Sequence, residues 1–445
     1  MSTFKIGGVH PQDNKIYSVH KKIEAVPLPK KAIIPLVQHI GAPAQPVVEK
    51  GDKVKVGQLI AKAGGFVSAN VHSPFSGTVM KIDTTTDAWG MKMPAIFIDV
   101  EGDEWLPEID QTDRFIREGD LEPKAIIDAI AAAGIVGLGG ACFPTHVKLM
   151  PPPGKKAEVL IINGVECEPF LTCDHELMLE HGRDIILGIK ILMRALSVKK
   201  AVIGIEKNKP DAIELMQSLA VKSLGITVMP LNLKYPQGGE KQLIDACIGR
   251  QIPSGALPIE VGAVVSNVAS VYAVYQAIQK HQPLISRVMT VTGPSVKKPG
   301  NYLVRFGTPL TDVIACAGGI PDDTAMIIGG GPMMGRAMQN VDMPANKRVS
   351  GLLFLPEKDA RRVEAANCIR CGKCVSACPM GLEPYLLSRL SELSRWDEME
   401  QHHIMDCIDC GCCQFTCPSH RPLLDYIRSG KAKVGGIIRA RAQKQ

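Results

Sequence analysis

Hydrophobic and polar positions change their rhythm several times along the 445 residues. Up to about Glu108 the chain is punctuated by glycine. Its runs from Val47 and from Val71 alternate apolar and polar positions around turns, as half-buried strands do. From Pro123 the texture changes. Pro123–Ala133 reads as a helix closed near Gly134, and continuous apolar runs begin at Val159, Ala201 and Ile226. These runs alternate with helical periodicity over 175–196 and 210–224, which predicts an α/β layer with a mainly parallel sheet. Ligands gather at the carboxyl ends of such strands. Val261–Gln279 carries no charge but contains Ser266, Asn267, Ser270 and Gln276, so it is expected to be a buried loop leading into a core helix and not a membrane span. Near Arg287 the rhythm returns to β, with runs at Val288 and Gly300 and a short helix over 309–315. Beyond Pro356 the chain is helical and charged, with one helix expected over 385–403. The stretch 428–445 has Arg428, Lys431, Lys433, Arg439, Arg441 and Lys444 without an acid, the pattern of a solvated, partly disordered tail.

Composition changes this picture little. Hydrophobic residues make up 45% and charged residues 22%, an ordinary soluble balance. A net charge of +6 on a chain of this length, with 4% aromatics, gives no footprint for nucleic acid. Residues 1–12 lack the apolar run of a secretory signal, so the 14 cysteines are expected in a reducing compartment as ligands or free thiols.

Eight of those cysteines stand in a repeated pattern: Cys368, Cys371, Cys374 and Cys378 before Pro379, then Cys407, Cys410, Cys413 and Cys417 before Pro418. Both halves read C-x2-C-x2-C-x3-C-P. Three thiolates at intervals of three residues wrap one [4Fe-4S] cube, while the fourth reaches across to the other cluster. On that rule Cys368, Cys371, Cys374 and Cys417 hold one cluster, and Cys407, Cys410, Cys413 and Cys378 hold the second. A zinc site would use two pairs separated by a longer loop, and a disulfide framework suits a short secreted chain. Cys412 has no place in the spacing and reads as a bystander.

A second informative stretch is Gly137 to Lys148, G-L-G-G-A-C-F-P-T-H-V-K. Glycines let backbone amides approach a phosphate or a planar ring, and Lys148 can neutralise phosphate charge. On its own such a cluster is more often a turn. It is joined by N-G-V-E-C-E-P from Asn163, Y-P-Q-G-G-E from Tyr235, and the small polar run around Ser266 and Asn267.

The order of these motifs resembles the flavin- and NADH-binding subunit of respiratory complex I. With the opening G-G-V-H-P at Gly7, V-T-G-P at Val291 and the doubled cysteine motif, the chain is similar over nearly its full length to the C subunits of Rnf-type ion-translocating ferredoxin:NAD oxidoreductases. The resemblance implies FMN held by Gly137, Gly139, Gly140, Lys148, Asn163, Tyr235, Gly238, Ser266 and Asn267. It implies NADH over the flavin near Phe143, with Glu168 and Glu240 beside the nucleotide; Glu166 and Gly239 complete the cofactor-binding set. Where complex I relatives carry an aspartate in the asparagine loop, this chain has Val165. Cys142, Cys167 and Cys173 near the loops read as small buried residues.

The expected fold is multidomain, α/β plus β plus α. It comprises a biotinyl/lipoyl-like barrel-sandwich over 1–112 without a carrier lysine in the Gly64–Asn70 loop, a Rossmann-like FMN/NADH domain over 113–286, a soluble-ligand-binding β-grasp domain over 287–355, and a helical two-cluster ferredoxin-like domain over 356–427. The tail follows. NADH gives up two electrons together and a cluster accepts one, so a flavin stands between them and no catalytic acid or base is expected among Glu166, Glu168, Asp174 or Glu240. The expected role is a peripheral subunit on the cytoplasmic face of a membrane, exchanging electrons between NAD(H), FMN and two [4Fe-4S] clusters with membrane subunits as partners and ferredoxin served indirectly. The alternatives are a soluble flavin/Fe-S reductase such as a cobalamin reductase, and a non-catalytic cluster relay or scaffold.

Overall fold

The computed structural model describes residues 3–115 and 121–442. The barrel-sandwich is built from two antiparallel sheets. One orders Lys31–Pro35, Lys92–Val100, Gly77–Thr86 and Lys53–Val54; the other orders Gln45–Pro46, Leu59–Lys62 and Val71–His72. Ile34, Val54, Ile60, Val79, Ile96 and Ile98 alternate inward and fill the space between them. The segment before Lys31 joins neither sheet. It runs as a strap across the other bodies, pairing Val9 with Tyr235 and Glu24–Ala25 with Tyr302 and Leu303.

The central layer is a four-stranded parallel sheet in the order Ile226–Leu231, Ala201–Glu206, Val159–Asn163, Ala263–Asn267. The three apolar runs of the sequence supply three of these strands because helices bury both of their faces. The fourth strand corrects the expectation of a loop after Val261: Ala263–Asn267 pairs along Val159–Asn163 and passes at once into the helix Val268–Gln279. A five-residue strand with no turn between it and a helix leaves no periodic signature, and the neighbouring strand imposes its conformation. Asn267 caps that helix, its Oδ1 accepting from the Ala269 amide at 2.9 Å. The long helix Cys173–Ala195 bends at His181 and packs on Val268–Gln279, with Gly188 set directly against the Val271 carbonyl.

A six-stranded mixed sheet follows, ordered Glu24–Ala25, Gly300–Arg305, Ser286–Thr292, Gly351–Pro356, Thr324–Gly329, Arg336–Ala337, with the helix Leu310–Cys316 on its apolar side. Beyond it the cysteine-bearing body is helical, with two corrections. The single helix expected over 385–403 is two, Pro384–Glu392 and Trp396–Gln401, broken where Ser394 takes a left-handed conformation at φ 55°. The expected solvated tail is instead the helix Leu423–Ala442; residues 443–445 lie outside the described residues. Leu423, Leu424, Ile427 and Val434 bury one face of it. Two of its cations find acidic partners elsewhere in the chain: Lys431 faces Asp409 at 3.4 Å, and Arg441 pairs with Glu400 at 2.7 Å and Asp397 at 3.2 Å. Composition of the segment alone could not show acids supplied by another helix.

Gly188 tests the helix packing on which the central layer rests. A Cβ there would sit 2.4 Å from the Val271 carbonyl oxygen, so Gly188→Ala should push the two helices apart and cost about 1–3 kcal/mol, read as a lower melting temperature. An unchanged transition would show that the helices do not approach this closely.

Candidate functional site

The glycine-rich loops meet at the carboxyl edge of the parallel sheet. Asn163 and Asn267 are the last residues of adjacent strands, and 232–239 follows the strand Ile226–Leu231. The Asn163 amide donates to the Gly238 carbonyl at 2.8 Å, tying two of the loops together. Lys148 reaches in from the short helix Thr145–Lys148, donating to Glu240 Oε1 at 2.8 Å and to the Val265 carbonyl at 3.0 Å. The Leu138 amide is anchored on Ser270 Oγ at 2.8 Å. Beyond it Gly139 lies against Asn267, where a Cβ would come within 3.3 Å of the asparagine side chain, while Gly140, at φ +113°, opens into free space. The half-buried Phe143 ends this loop, its backbone paired with Gly137. Gly239 begins the helix Glu240–Ile248. Bare glycine backbone, one lysine and a helix N-terminus on a single edge fit a planar ring bearing a phosphate.

The acidic residues lie beneath this edge, and each is engaged by the protein. Glu166 accepts from the amides of Asp174 at 2.7 Å and His175 at 3.3 Å, so it caps the long helix. Asp174 accepts from Asn267 Nδ2 at 2.6 Å. Burial, and then the Glu166 charge, push the Asp174 carboxyl up to about 7. Glu168 accepts from the amides of Met333 at 3.1 Å and Met334 at 2.8 Å and from Tyr235 Oη at 3.1 Å, and burial raises its pKa. Two buried lysines hold the same loop by its carbonyls. Lys15 donates to Glu168 O and Leu171 O, and Lys209 donates to Val165 O at 2.7 Å. Burial, with Lys15 adding repulsion, lowers Lys209 to about 8. The Val165 side chain is fully buried in the apolar cluster of Ile161 and Leu243.

Cys378, Cys407, Cys410 and Cys413 line one small cavity of about 20 Å³ together with Leu382, Leu387, Leu424 and Ile427. Cys374 and Cys417 are near enough to feel one another's charge, while Cys368 and Cys371 are exposed. The arrangement follows from a repeat with a spacing of 39 residues, Cys368 to Cys407 through Cys378 to Cys417. Left-handed backbone recurs at matching places: Arg370 and Asp409 at φ 56°, Gly372 and Gly411 at φ 74° and 79°. The second turn aims its three thiols into the cavity, where Cys378 of the first turn joins them, and Cys417 of the second turn lies toward Cys374 of the first. Burial raises the pKa of Cys378 and pushes that of Cys407 up to about 12, and a soft metal centre held by these thiols would displace their protons. That donor set fits iron–sulfide.

Flavin-type edge and buried thiol site adjoin. Tyr235 is buried between Glu168 and the second cysteine turn, and its carbonyl accepts from Cys412 Sγ at 3.8 Å. Cys412, Cys410, Val9 and Met333 form one apolar cluster with it, and Cys167 packs at its side. Gln242 Nε2 donates to the Pro379 carbonyl at 3.2 Å, and the Gly8 amide to Ala377 O at 2.9 Å. Motif spacing singles out none of Lys15, Gln242, Met333 or Lys209. The run Gly329-Gly330-Gly331 before Pro332 signals a backbone loop that approaches something closely, but neither lysine has a local signature.

Four family profiles match: an RnfC barrel sandwich hybrid domain over 2–103, a Nuo51 FMN-binding domain over 130–276, an SLBB domain over 288–337, and a 4Fe-4S dicluster domain over 367–420. The C subunit of the proton-translocating ferredoxin:NAD(+) oxidoreductase complex of Clostridium ljungdahlii is 48% identical over 96% of this chain and 93% of its own. Its counterpart in the Na(+)-translocating complex of Acetobacterium woodii is 40% identical over 97% of both chains. The C subunit of the ion-translocating oxidoreductase complex of Rhodobacter capsulatus is 42% identical over 87% of this chain and 75% of its own. A chain of an air-oxidized NAD+-reducing [NiFe]-hydrogenase aligns at TM-score 0.49 with 18% identity, covering 70% of this chain and 63% of that one.

Asp174 gives this site a pH signature. With its folded pKa raised, the native state holds a proton that the unfolded state has lost between about pH 4 and 7. Stability therefore falls as pH rises through that window. Asp174→Asn, which still accepts from Asn267, should flatten the slope and be the more stable form at pH 8, by on the order of 1 kcal/mol because Asp174 keeps partial solvent contact. Parallel melting-temperature profiles from pH 4 to 8 would refute the assignment.

Proposed function

The chain belongs to the family of C subunits of Rnf-type ion-translocating ferredoxin:NAD oxidoreductase complexes, and we propose that within such a complex it exchanges electrons between NAD(H), FMN and two [4Fe-4S] clusters. The observation that carries this reading is the shared loop: Tyr235 to Gly239 borders the glycine-loop edge and presses its other side on the buried thiol site. Bound FMN supplies the conversion between two-electron and one-electron transfer. The glycine backbone of Gly137, Gly139 and Gly140 leaves space for the ring. Lys148 and the amide end of Glu240–Ile248 offset phosphate charge, and Asn163, Gly238, Ser266 and Asn267 shape the floor. Phe143, Glu168 and Glu240 border the place for the nicotinamide nucleotide. Glu166 acts from below, holding Asp174 and through it Asn267 in place.

Electron order follows from burial. The Cys378, Cys407, Cys410, Cys413 set lies next to Tyr235 and is the nearer to the flavin edge; the Cys368, Cys371, Cys374, Cys417 set is farther out, with Cys368 and Cys371 exposed, and serves as the exit. The working units are 1–112, 113–286, 287–355 and 356–442, the last extended by the helix that replaces the tail. No helix among the described residues is long and apolar enough to cross a membrane. The partners are the membrane subunits of the complex, at its cytoplasmic face. The match to an RnfC barrel sandwich hybrid domain over 2–103 counts against the soluble cobalamin-type reductase.

Anaerobic purification with cluster reconstitution should give about one FMN and eight irons per chain, and NADH should bleach both chromophores. Iron without restorable flavin would reduce the chain to a cluster relay. The crossed ligand sets are tested separately: Cys378→Ser should remove the inner cluster and Cys417→Ser the outer one, each lowering iron by about half with a distinct electron-spin signal lost. If Cys417→Ser silences the inner signal, each motif holds its own cluster.

A further inference from the structure

The internal repeat compares one face of the protein with itself. In the second half, the turn around Ile408 and Gly411 is covered by other domains: Gly411 abuts the Met333 carbonyl, and Ile408 packs with Val9, Tyr235 and Met333. In the first half the matching residues are Ile369 and Gly372. Gly372 has nothing near it, Ile369 is 67% exposed, and every residue from Arg361 to Lys373 is exposed. Val363, 61% exposed, adds a second apolar side chain. Around them stand Arg361, Arg362, Arg370 and Lys373 against one acid, Glu364. Arg362 pairs with Asp425, while the side chains of Arg361, Arg370 and Lys373 have no hydrogen-bond or ion-pair partner among the described residues. At the place of Arg370 the covered half has Asp409, held by Lys431.

We propose that the Arg361–Lys373 face is the docking surface for an acidic protein carrying its own one-electron centre, which covers Ile369 and Gly372 as Met333 and Tyr235 cover Ile408 and Gly411. This rests on the outer thiol set being the exit of the electron path. Two exposed apolar side chains on one exposed stretch with three unpaired cations, Arg361, Arg370 and Lys373, fit an interface that combines apolar contact with charge, in which acidic residues of the partner steer approach and set its register. The same turn already accommodates folded protein in the other half, which favours a protein over a lipid surface. Docking here brings the partner's centre beside Cys368 and Cys371. One electron then passes per encounter, the outer cluster and the partner's centre exchanging oxidation states without proton or bond transfer.

The test uses the full chain with reconstituted clusters and membranes from a strain lacking this subunit but retaining the rest of its complex. Arg370→Glu with Lys373→Glu should weaken co-sedimentation and NADH-driven transfer to those membranes about tenfold and flatten their salt dependence. Arg361→Glu, ahead of the cysteine motif, should act in the same direction where the double variant loses iron. Iron content and NADH bleaching should stay as in the parent. Unchanged association and transfer would overturn the proposal. So would variants that lose binding only to phosphatidylglycerol vesicles, which would assign the face to lipid. If NADH fails to bleach the parent protein, the electron-input reading falls, while the association data still judge the surface.

Discussion

Burial of Tyr235 is the constraint on which the rest of this structure depends. Its hydroxyl is held by Glu168, its carbonyl by Cys412 and its backbone by Val9, so one residue belongs at once to the nucleotide edge, the cysteine turn and the N-terminal strap. Glu168 in turn fixes the amides of Met333 and Met334. A buried carboxylate is tolerated only where its oxygens are satisfied, and here three donors from two loops satisfy it. The geometry between flavin edge and inner thiol site is thereby set by a polar knot inside an apolar cluster, and each domain contributes a strand of that knot.

Much of this was legible in the residues, and the reasons differ by element. The strands at Val159, Ala201 and Ile226 announced themselves because a sheet buried on both faces demands unbroken apolar runs. The strand Ala263–Asn267 did not, because it flows into a helix and its conformation comes from a neighbour a hundred residues earlier. The eight cysteines carried their own geometry, since ligand spacing is a local property. The helix Leu423–Ala442 read as a tail because Asp397, Glu400 and Asp409, which pair with two of its cations, lie on other segments.

The edge residues show the same division. Gly139 and Gly140 stood out because only glycine leaves that backbone bare, and Lys148 because of its place after the loop. Lys15 and Lys209 were invisible, since a lysine that ends in the interior under a loop looks in sequence like any surface lysine. The acids of the N-G-V-E-C-E-P stretch stand out by position, but their partners do not: Glu166 caps a helix and Glu168 ties two loops together through donors far away in sequence.

The strap also bears on which thiols solvent meets. Gly7 lies so close to the Cys378 carbonyl that no side chain fits between them, and the inner thiol pocket is walled by helices from the end of the chain. The strap thus presses on the backbone that carries one thiol of that pocket. In the finished fold Cys378, Cys410 and Cys413 are buried, whereas Cys368 and Cys371 remain exposed. An oxidant in bulk solvent therefore meets Cys368 and Cys371 first, while the thiols behind the strap are sheltered from it.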